Sequence, residues 1–241
     1  MIFPTGSWVW RRVALDRGRR QCADVSDGNG PPGNLLAETG RAVRALGGAV
    51  VTVEVDAVSV EWRLARGELC CPVCGGRLGS WGWARCRVLR GAGGSTMVLT
   101  PRRSRCSLCL VTHVLLPVVA LLSRVDLAEV IGAAVAAKAR GLGARTVAVL
   151  LGRSVDTVRG WLRRFGSRAE TVRQFFTGLL VDVAPDPVVP TAMRTVFADA
   201  VAAVVGATVA VLARWPRLGE LPVWQAAAAA TNGRLLSPSW P

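Results

Sequence analysis

Two cysteine pairs stand at the spacing that lets two thiolates bind one metal ion. Cys71-Pro-Val-Cys74 and Cys106-Ser-Leu-Cys109 each have two residues between their cysteines. Four thiolates complete a closed tetrahedral shell of the kind that holds zinc, with no position left for water. We therefore expect one structural Zn²⁺ and no catalysis by the metal. The predicted ligands are Cys71, Cys74, Cys106 and Cys109.

Two neighbouring residues leave alternatives open at this site. Cys70 competes with Cys71 for the first position, although the proline after Cys71 favours Cys71. His113 follows the second pair as Cys-x3-His and is a replacement ligand, a phosphate contact, a neighbour that supports a ligand, or a surface residue. We favour one of the last two roles.

The number of cysteines and the first residues of the chain indicate the cellular compartment. The chain has seven cysteines, an odd number, and its first residues contain no apolar run typical of a secretory signal. Both observations indicate metal binding in a reducing cytoplasm rather than a disulfide framework. We interpret Cys22 and Cys86 as small residues that are either buried or unengaged.

The 31 residues between the cysteine pairs must return the chain to its starting point. This separation exceeds the usual roughly 15–20 residues, and the pattern from Arg77 to Arg105 predicts a long β-hairpin with a turn at 91–95 and arginines on its outward side. A strand over 49–56 and a short helix over 60–66 precede it. Leu110 stands where such metal-binding turns often have glycine.

A helix-turn-helix pattern covers Arg145–Phe165 and is the second chemical signal. Small Ala148 is followed four residues later by Gly152, which suits a turn that needs positive φ, and six residues further by the β-branched Val158. Ser154 is a suitable N-cap for the second helix. The residues that we expect to face the core are Val147, Leu151, Val155, Val158, Leu162 and Trp161.

The outward face of that second helix has the chemistry of a DNA reader. Arginine pairs with guanine or phosphate, and a carboxylate accepts from cytosine N4. Gly160 would let the backbone approach DNA closely. The alternative is a basic amphipathic helix in an ordinary bundle. The predicted DNA-binding residues are Ser154, Asp156, Thr157, Arg159, Arg163 and Arg164.

The charge distribution favours a polyanion partner for the middle of the chain. The net charge is +14, and residues 49–180 hold 19 basic and 8 acidic residues, whereas 181–241 hold four of each. This pattern indicates a polyanion-binding module joined to a segment that packs, or else a solvated basic surface. A hydrophobic fraction of 51% excludes wholesale disorder.

These patterns predict an α+β protein: a small β zinc ribbon, then an all-α helix-turn-helix domain and C-terminal helices. The predicted boundaries are a poorly ordered segment at 1–48, the ribbon at 49–120, the helix-turn-helix domain at 121–180, and a linker with hydrophobic helices at 181–241. Helical periodicity places helices at 126–141, 144–151, 155–165, 169–180, 191–214 and 223–230.

The motifs together resemble a known arrangement over about residues 50–165. The sequence Cys-Pro-Val-Cys-Gly-Gly-Arg-Leu-x-x-Trp-Gly, then Arg-x-Arg-Cys-x-x-Cys-x-x-Thr-His-x-Leu-Leu-Pro and the helix-turn-helix, resembles an actinobacterial family of uncharacterised zinc-ribbon plus helix-turn-helix proteins. That family is similar to the N-terminal DNA-binding region of insertion-sequence transposases. The resemblance implies zinc on the four cysteines and DNA contact by the helix at 154–164.

The chain departs from such transposases after Phe165. Transposases of this kind continue into a ribonuclease-H-like domain in which three carboxylates hold two metal ions. Here 76 residues follow, Pro-rich and then Ala-rich, without the strands of such a domain. We therefore expect a protein that is not an enzyme. The acids in this region are Glu170, Asp182, Asp186, Asp199 and Glu220.

The apolar helix expected near 196–213 is almost long enough to span a membrane. It contains Asp199 and Gly206 and is largely alanine and valine. We therefore favour burial in a helical core or a homodimer interface, and we expect no membrane partner.

The sequence thus predicts a cytoplasmic, nucleoid-associated protein of mobile-element origin that binds double-stranded DNA, with a separate transposase or integrase subunit as an expected partner. The alternatives are a transcriptional regulator, a zinc-ribbon module that binds RNA or protein, and a truncated or decayed transposase.

Overall fold

The computed structural model describes residues 49–216, 221–238 and 240 and shows a mixed α+β protein. The α+β class expected from the sequence is confirmed, whereas the predicted poorly ordered segment 1–48 lies outside the described residues. In the described part there are six strands: β1 Ala49–Val53, β2 Leu78–Trp83, β3 Arg87–Arg90, β4 Thr96–Leu99, β5 Arg102–Cys106 and β6 Thr112–Pro117. The same part has seven α-helices: α1 Ala57–Ala65, α2 Ala128–Ala139, α3 Ala144–Leu151, α4 Val155–Gly166, α5 Ala169–Val183, α6 Val196–Arg214 and α7 Val223–Ala230.

The described residues form two compact units. The sheet unit contains residues 49–87 and 99–117, and the helical unit contains residues 88–98 and the described residues from 118 onward.

The sheet unit is built on a four-stranded sheet in the order β1-β6-β5-β2. The β1 strand is parallel to β6, and the other two pairings are antiparallel. Asp56 begins α1 by accepting hydrogen bonds from the backbone N–H groups of Val58 and Ser59, both at 2.9 Å. The small core under this helix consists of Val53, Val60, Leu64, Leu69, Leu78 and Leu115, with Cys71 and Cys106.

The sequence predicts a single long hairpin from Arg77 to Arg105, and the strand pairing corrects that prediction. The β2 strand pairs with β5, while β3 and β4 pair with each other in a separate two-stranded sheet around a 3₁₀ turn at Ala92–Gly94. Leu78 lies opposite Cys106 in the β2–β5 register. Because β2 follows the first cysteine pair and β5 leads into the second, this pairing is what brings the two pairs side by side.

The helical unit contains the larger core. Phe165, Val172 and Phe176 are almost fully buried, and Gly132 in α2 lies so close to the indole of Trp224 that a Cβ atom would stand 1.9 Å from it. Glu129 accepts a hydrogen bond at 3.1 Å from the N–H of Gln225 in the first turn of α7. This contact replaces a side-chain cap, which the N-cap residue Pro222 does not supply.

The predicted helices are present, two with the predicted bounds and the others with shifted ends. The first begins at Ala128, and the long apolar helix begins at Val196 rather than at 191. In the described part of the chain this helix, α6, is the one that is long and apolar enough to cross a membrane, by length and composition, and half of its apolar window is buried inside the fold. Packing within the helical unit therefore accounts for much of its apolar character.

Candidate functional site

The four predicted cysteines converge in the sheet unit. Their sulfur atoms all lie within 4.8 Å of one another. The Sγ atoms of Cys71 and Cys109 are 3.6 Å apart, and those of Cys74 and Cys106 are 3.4 Å apart. This arrangement is compatible with one bound metal ion. Cys70, the alternative to Cys71, is not part of the cluster.

Each cysteine pair lies in a tight turn that ends in left-handed backbone. In the first turn the N–H of Gly75 donates to the carbonyl of Cys71 at 2.9 Å, and Gly75 has φ +76°. In the second turn the residue after Cys109 is Leu110, with φ +59°. A side chain there costs roughly 1–2 kcal/mol that glycine avoids. The second turn therefore keeps the geometry of the first at some expense of stability.

Burial and hydrogen bonding shift the pKa values of Cys71, Cys74 and Cys106. Loss of solvation raises the pKa of Cys71 and of Cys74. Burial also opposes ionisation of Cys106, but the backbone N–H groups of Cys109 and Leu108 point at its sulfur and lower its pKa. Several thiolates this close together repel one another strongly, and a cation among them removes that repulsion.

His113 lies against this cluster. Its side chain is fully buried, and its Nε2 is 3.3 Å from the Sγ of Cys71. Burial lowers the pKa of the imidazole, which favours the neutral ring. Its Nδ1 is buried without a hydrogen-bond partner among the described residues. A neutral ring that donates from Nε2 to the sulfur leaves Nδ1 as a bare acceptor, so the histidine is placed to support a ligand rather than to lie at the surface.

The other cysteines do not join this group. Cys86 is exposed and outside the cluster, and Cys22 lies outside the described residues.

The second predicted site, the stretch from α3 to α4, has the local geometry expected of it. Gly152 closes α3 with φ +61° and ψ +41°, and the hydroxyl of Ser154 caps α4 by accepting from the N–H of Thr157 at 3.3 Å. The residues expected to face the core are buried or half-buried. Val147, Val158, Trp161 and Leu162 are buried, and Leu151 and Val155 are half-buried against the core. The small residue Ala148 is buried as well.

The predicted DNA-binding residues lie on the outer side of α4. The exposed ones are Ser154, Asp156, Arg159 and Arg163, and the half-buried ones are Thr157 and Arg164.

Two of the arginines on this face are engaged within the helix. Arg159 makes a 3.4 Å ion pair with Asp156, and Arg164 donates to the carbonyl of Gly160 at 2.9 Å. An exposed ion pair of this kind is weak and opens readily for a stronger acceptor such as phosphate.

The sequence interpretation missed a buried ionic network beside this helix. Asp126 is 2% exposed, and its carboxylate binds both Arg90 and Arg153. Arg153, in the turn before α4, also donates to the carbonyl of Gly91 at 2.6 Å. Periodicity gives no sign of this network, because its members are brought together from three separate segments. The one sign of this network in the sequence is a charged residue, Arg153, inside a tight turn.

The fold and its site define a mixed α+β protein with a partly buried four-cysteine candidate metal centre. No model of a known family, no curated protein and no solved structure matches the chain.

Proposed function

We propose that this protein is a non-catalytic, zinc-dependent protein of transposase-related origin that binds duplex DNA. The observation that carries the proposal is the outer face of α4, which presents Arg159 and Arg163 to solvent next to a glycine turn. The four-cysteine cluster holds the second basic element, a zinc ribbon formed by β2 and β5.

The sulfur spacing supports zinc as the metal. Four sulfurs at the usual Zn–S distance of about 2.3 Å lie about 3.8 Å apart in a regular tetrahedron. Two of the separations in the cluster, 3.6 Å and 3.4 Å, are close to that edge length. When bound, the ion would cross-link the two turns through Cys71, Cys74, Cys106 and Cys109. All four positions around it are then filled by the protein, which is why we propose a structural role for it and no catalysis.

The dimensions and chemistry of α4 support major-groove binding. An α-helix with its side chains is about 10–12 Å across, which matches the major groove width of about 12 Å, and the twelve residues of α4 give it a length of about 18 Å. Arg159 and Arg163 are one turn apart on the helix, so both face the same side. Each has a guanidinium that fits the acceptor pair of guanine or a phosphate oxygen.

The remaining residues of this face have supporting roles. Ser154 and Thr157 lie in the first turn, where hydroxyl groups and backbone N–H groups suit a phosphate. Asp156, once released from Arg159, is an acceptor for cytosine N4. Gly160 has no side chain, so DNA can approach the backbone in the middle of the helix once the guanidinium of Arg164 moves off its carbonyl.

A salt titration of duplex binding tests the proposal. We expect the double variant Arg159→Ala/Arg163→Ala to bind a duplex at least about tenfold more weakly and to show a salt slope smaller by about two. The matched control is Lys138→Ala/Arg140→Ala, which removes the same charge from the exposed end of α2.

Two results would contradict the assignment of α4 as the reading helix. One is unchanged duplex affinity in the double variant. The other is an equal loss in the charge-matched control, since that would reduce the effect to net charge.

A further inference from the structure

The outward face of the β2–β5 pair combines an exposed tryptophan with two arginines. Along β5 the buried residues Ser104 and Cys106 alternate with Arg103, which is exposed, and Arg105, which is half-buried. Because neighbouring side chains of a strand point to opposite faces, Arg103 and Arg105 share the outward face.

A β-bulge places Trp81 on that same face. Ser80 pairs with Ser104 and Gly82 pairs with Arg103, so Trp81 is the extra residue on β2. Trp81 is 53% exposed, which is unusual because tryptophan is highly buried on average. The residues opposite the two arginines on β2 are Gly79 and Gly82, which have no side chain to cover the indole.

The indole of Trp81 already has a flat, cationic group over its ring. The guanidinium carbon of Arg105 lies 4.6 Å from the centre of the Trp81 ring, in a cation–π contact. An indole has two faces, and the guanidinium covers one of them. The exposed fraction of Trp81 leaves room for a flat, electron-rich partner on the other.

The charged side chains of this face are basic. Within the described residues Arg103 makes no ion pair. The four acidic residues of the sheet unit are all engaged elsewhere. Glu54 binds Arg63, Asp56 caps α1, Glu61 binds Arg102, and Glu68 binds Arg66 and Arg63. The outward face is therefore cationic as well as aromatic.

We infer that this face binds a single strand of DNA, with an unpaired base stacked on Trp81 and the backbone phosphates on Arg103 and Arg105. Stacking on aromatic rings beside arginines is how proteins hold unpaired bases without reading their sequence. A duplex offers no such base, because its bases are already stacked on each other. The inference uses residues of the sheet unit alone, so it does not depend on the proposed role of α4.

Binding of labelled oligonucleotides to the full-length, zinc-loaded protein tests this inference. The probes are an oligothymidylate of about 15 nucleotides, an oligouridylate of the same length, and a blunt duplex of about 15 base pairs. We expect Trp81→Ala to weaken oligothymidylate binding about 5- to 100-fold and Trp81→Phe to retain most of it, since phenylalanine keeps a stacking ring. Arg103→Gln should weaken it less and reduce its salt dependence.

Trp62→Ala is the matched control. Trp62 is 60% exposed and also has an arginine over its ring, Arg66 at 5.2 Å, but it lies on α1. We expect this variant to bind oligothymidylate like the wild type. Zinc content and circular dichroism of each variant establish that the fold is retained.

Three results would overturn the inference: full oligothymidylate binding by Trp81→Ala in a folded protein, an equal loss in Trp62→Ala, or binding of oligouridylate alone.

The duplex probe distinguishes this inference from the proposed function. Trp81-dependent strand binding without duplex binding would reject the proposed function and keep this inference. Duplex binding that depends on Arg159 and Arg163, without strand binding, would do the reverse.

Discussion

Arg153 and Asp126 form a buried ion pair in which the guanidinium Nε lies 2.6 Å from the carboxylate Oδ1, with the side chains 8% and 2% exposed. The second oxygen of Asp126 accepts from Arg90 at 2.8 Å, and Arg153 reaches the carbonyl of Gly91. The carboxylate of Asp126 therefore links the β3–β4 hairpin, through Arg90, to the turn before α4, through Arg153. We expect this network to hold the position of the proposed reading helix.

Replacing Asp126 by asparagine should destabilise the protein strongly. The variant keeps the shape of the side chain but leaves the Arg153 charge buried without a counter-ion, which costs about 3–5 kcal/mol in comparable cases. Urea denaturation followed by circular dichroism measures the change in the free energy of unfolding. The control is Asp156→Asn, whose 91% exposed side chain pairs with Arg159 and should matter by less than about 1 kcal/mol. Similar losses in both variants would refute the importance of the buried pair.

Removal of one clustered cysteine should abolish metal binding. We expect one zinc ion per chain in the purified protein and none in Cys74→Ser, because three thiolates cannot close the shell. Loss of the metal should unfold the region from Cys70 to Leu110, which proteolysis detects as new cleavage sites. Cys86→Ser removes an exposed cysteine outside the cluster and should keep one zinc. A metal-free wild-type protein with full protection from protease would contradict the assignment.

Zinc affinity should fall as the pH is lowered. Burial raises the pKa values of the Cys71 and Cys74 thiols above their usual range, so without metal these thiols keep their protons at neutral pH. Zinc binds thiolates, and each bound ion must displace those protons, so protons compete with zinc more effectively at lower pH. If both thiols release a proton, the logarithm of the affinity should change by about two per pH unit. Competition with a chromophoric chelator across a pH series measures this slope, and a flat profile would refute it.

Substitution of His113 should weaken zinc binding without removing it. His113→Leu deletes the contact between Nε2 and the sulfur of Cys71, and loss of such a supporting contact typically costs about 10- to 100-fold in metal affinity. The metal content at saturating zinc should remain one per chain. Complete loss of zinc would instead make His113 a ligand, and unchanged affinity would deny it any part in the site. His113→Gln, which retains a polar N–H donor, should recover part of the affinity.

Much of the local structure follows from short stretches of sequence. The α7 helix has the predicted bounds, Val223–Ala230, and the turn from Gly152 to the capping Ser154 has the predicted backbone. The two cysteine pairs were likewise recognisable as candidate metal-binding turns. These features depend on residues within about four positions of one another, because helix hydrogen bonds, caps and tight turns are local interactions. DNA binding by α4 remains a prediction of that same local pattern.

Tertiary structure alone reveals the pairings between distant segments. The bulge at Trp81, the parallel alignment of β1 with β6, the contact of His113 with Cys71 and the burial of Asp126 between Arg90 and Arg153 each join residues that are tens of positions apart. Nothing in the residues flanking Asp126 distinguishes it from an exposed carboxylate. Strand register and the partners of buried polar groups depend on which surfaces exclude water together, and that is a property of the whole folded chain.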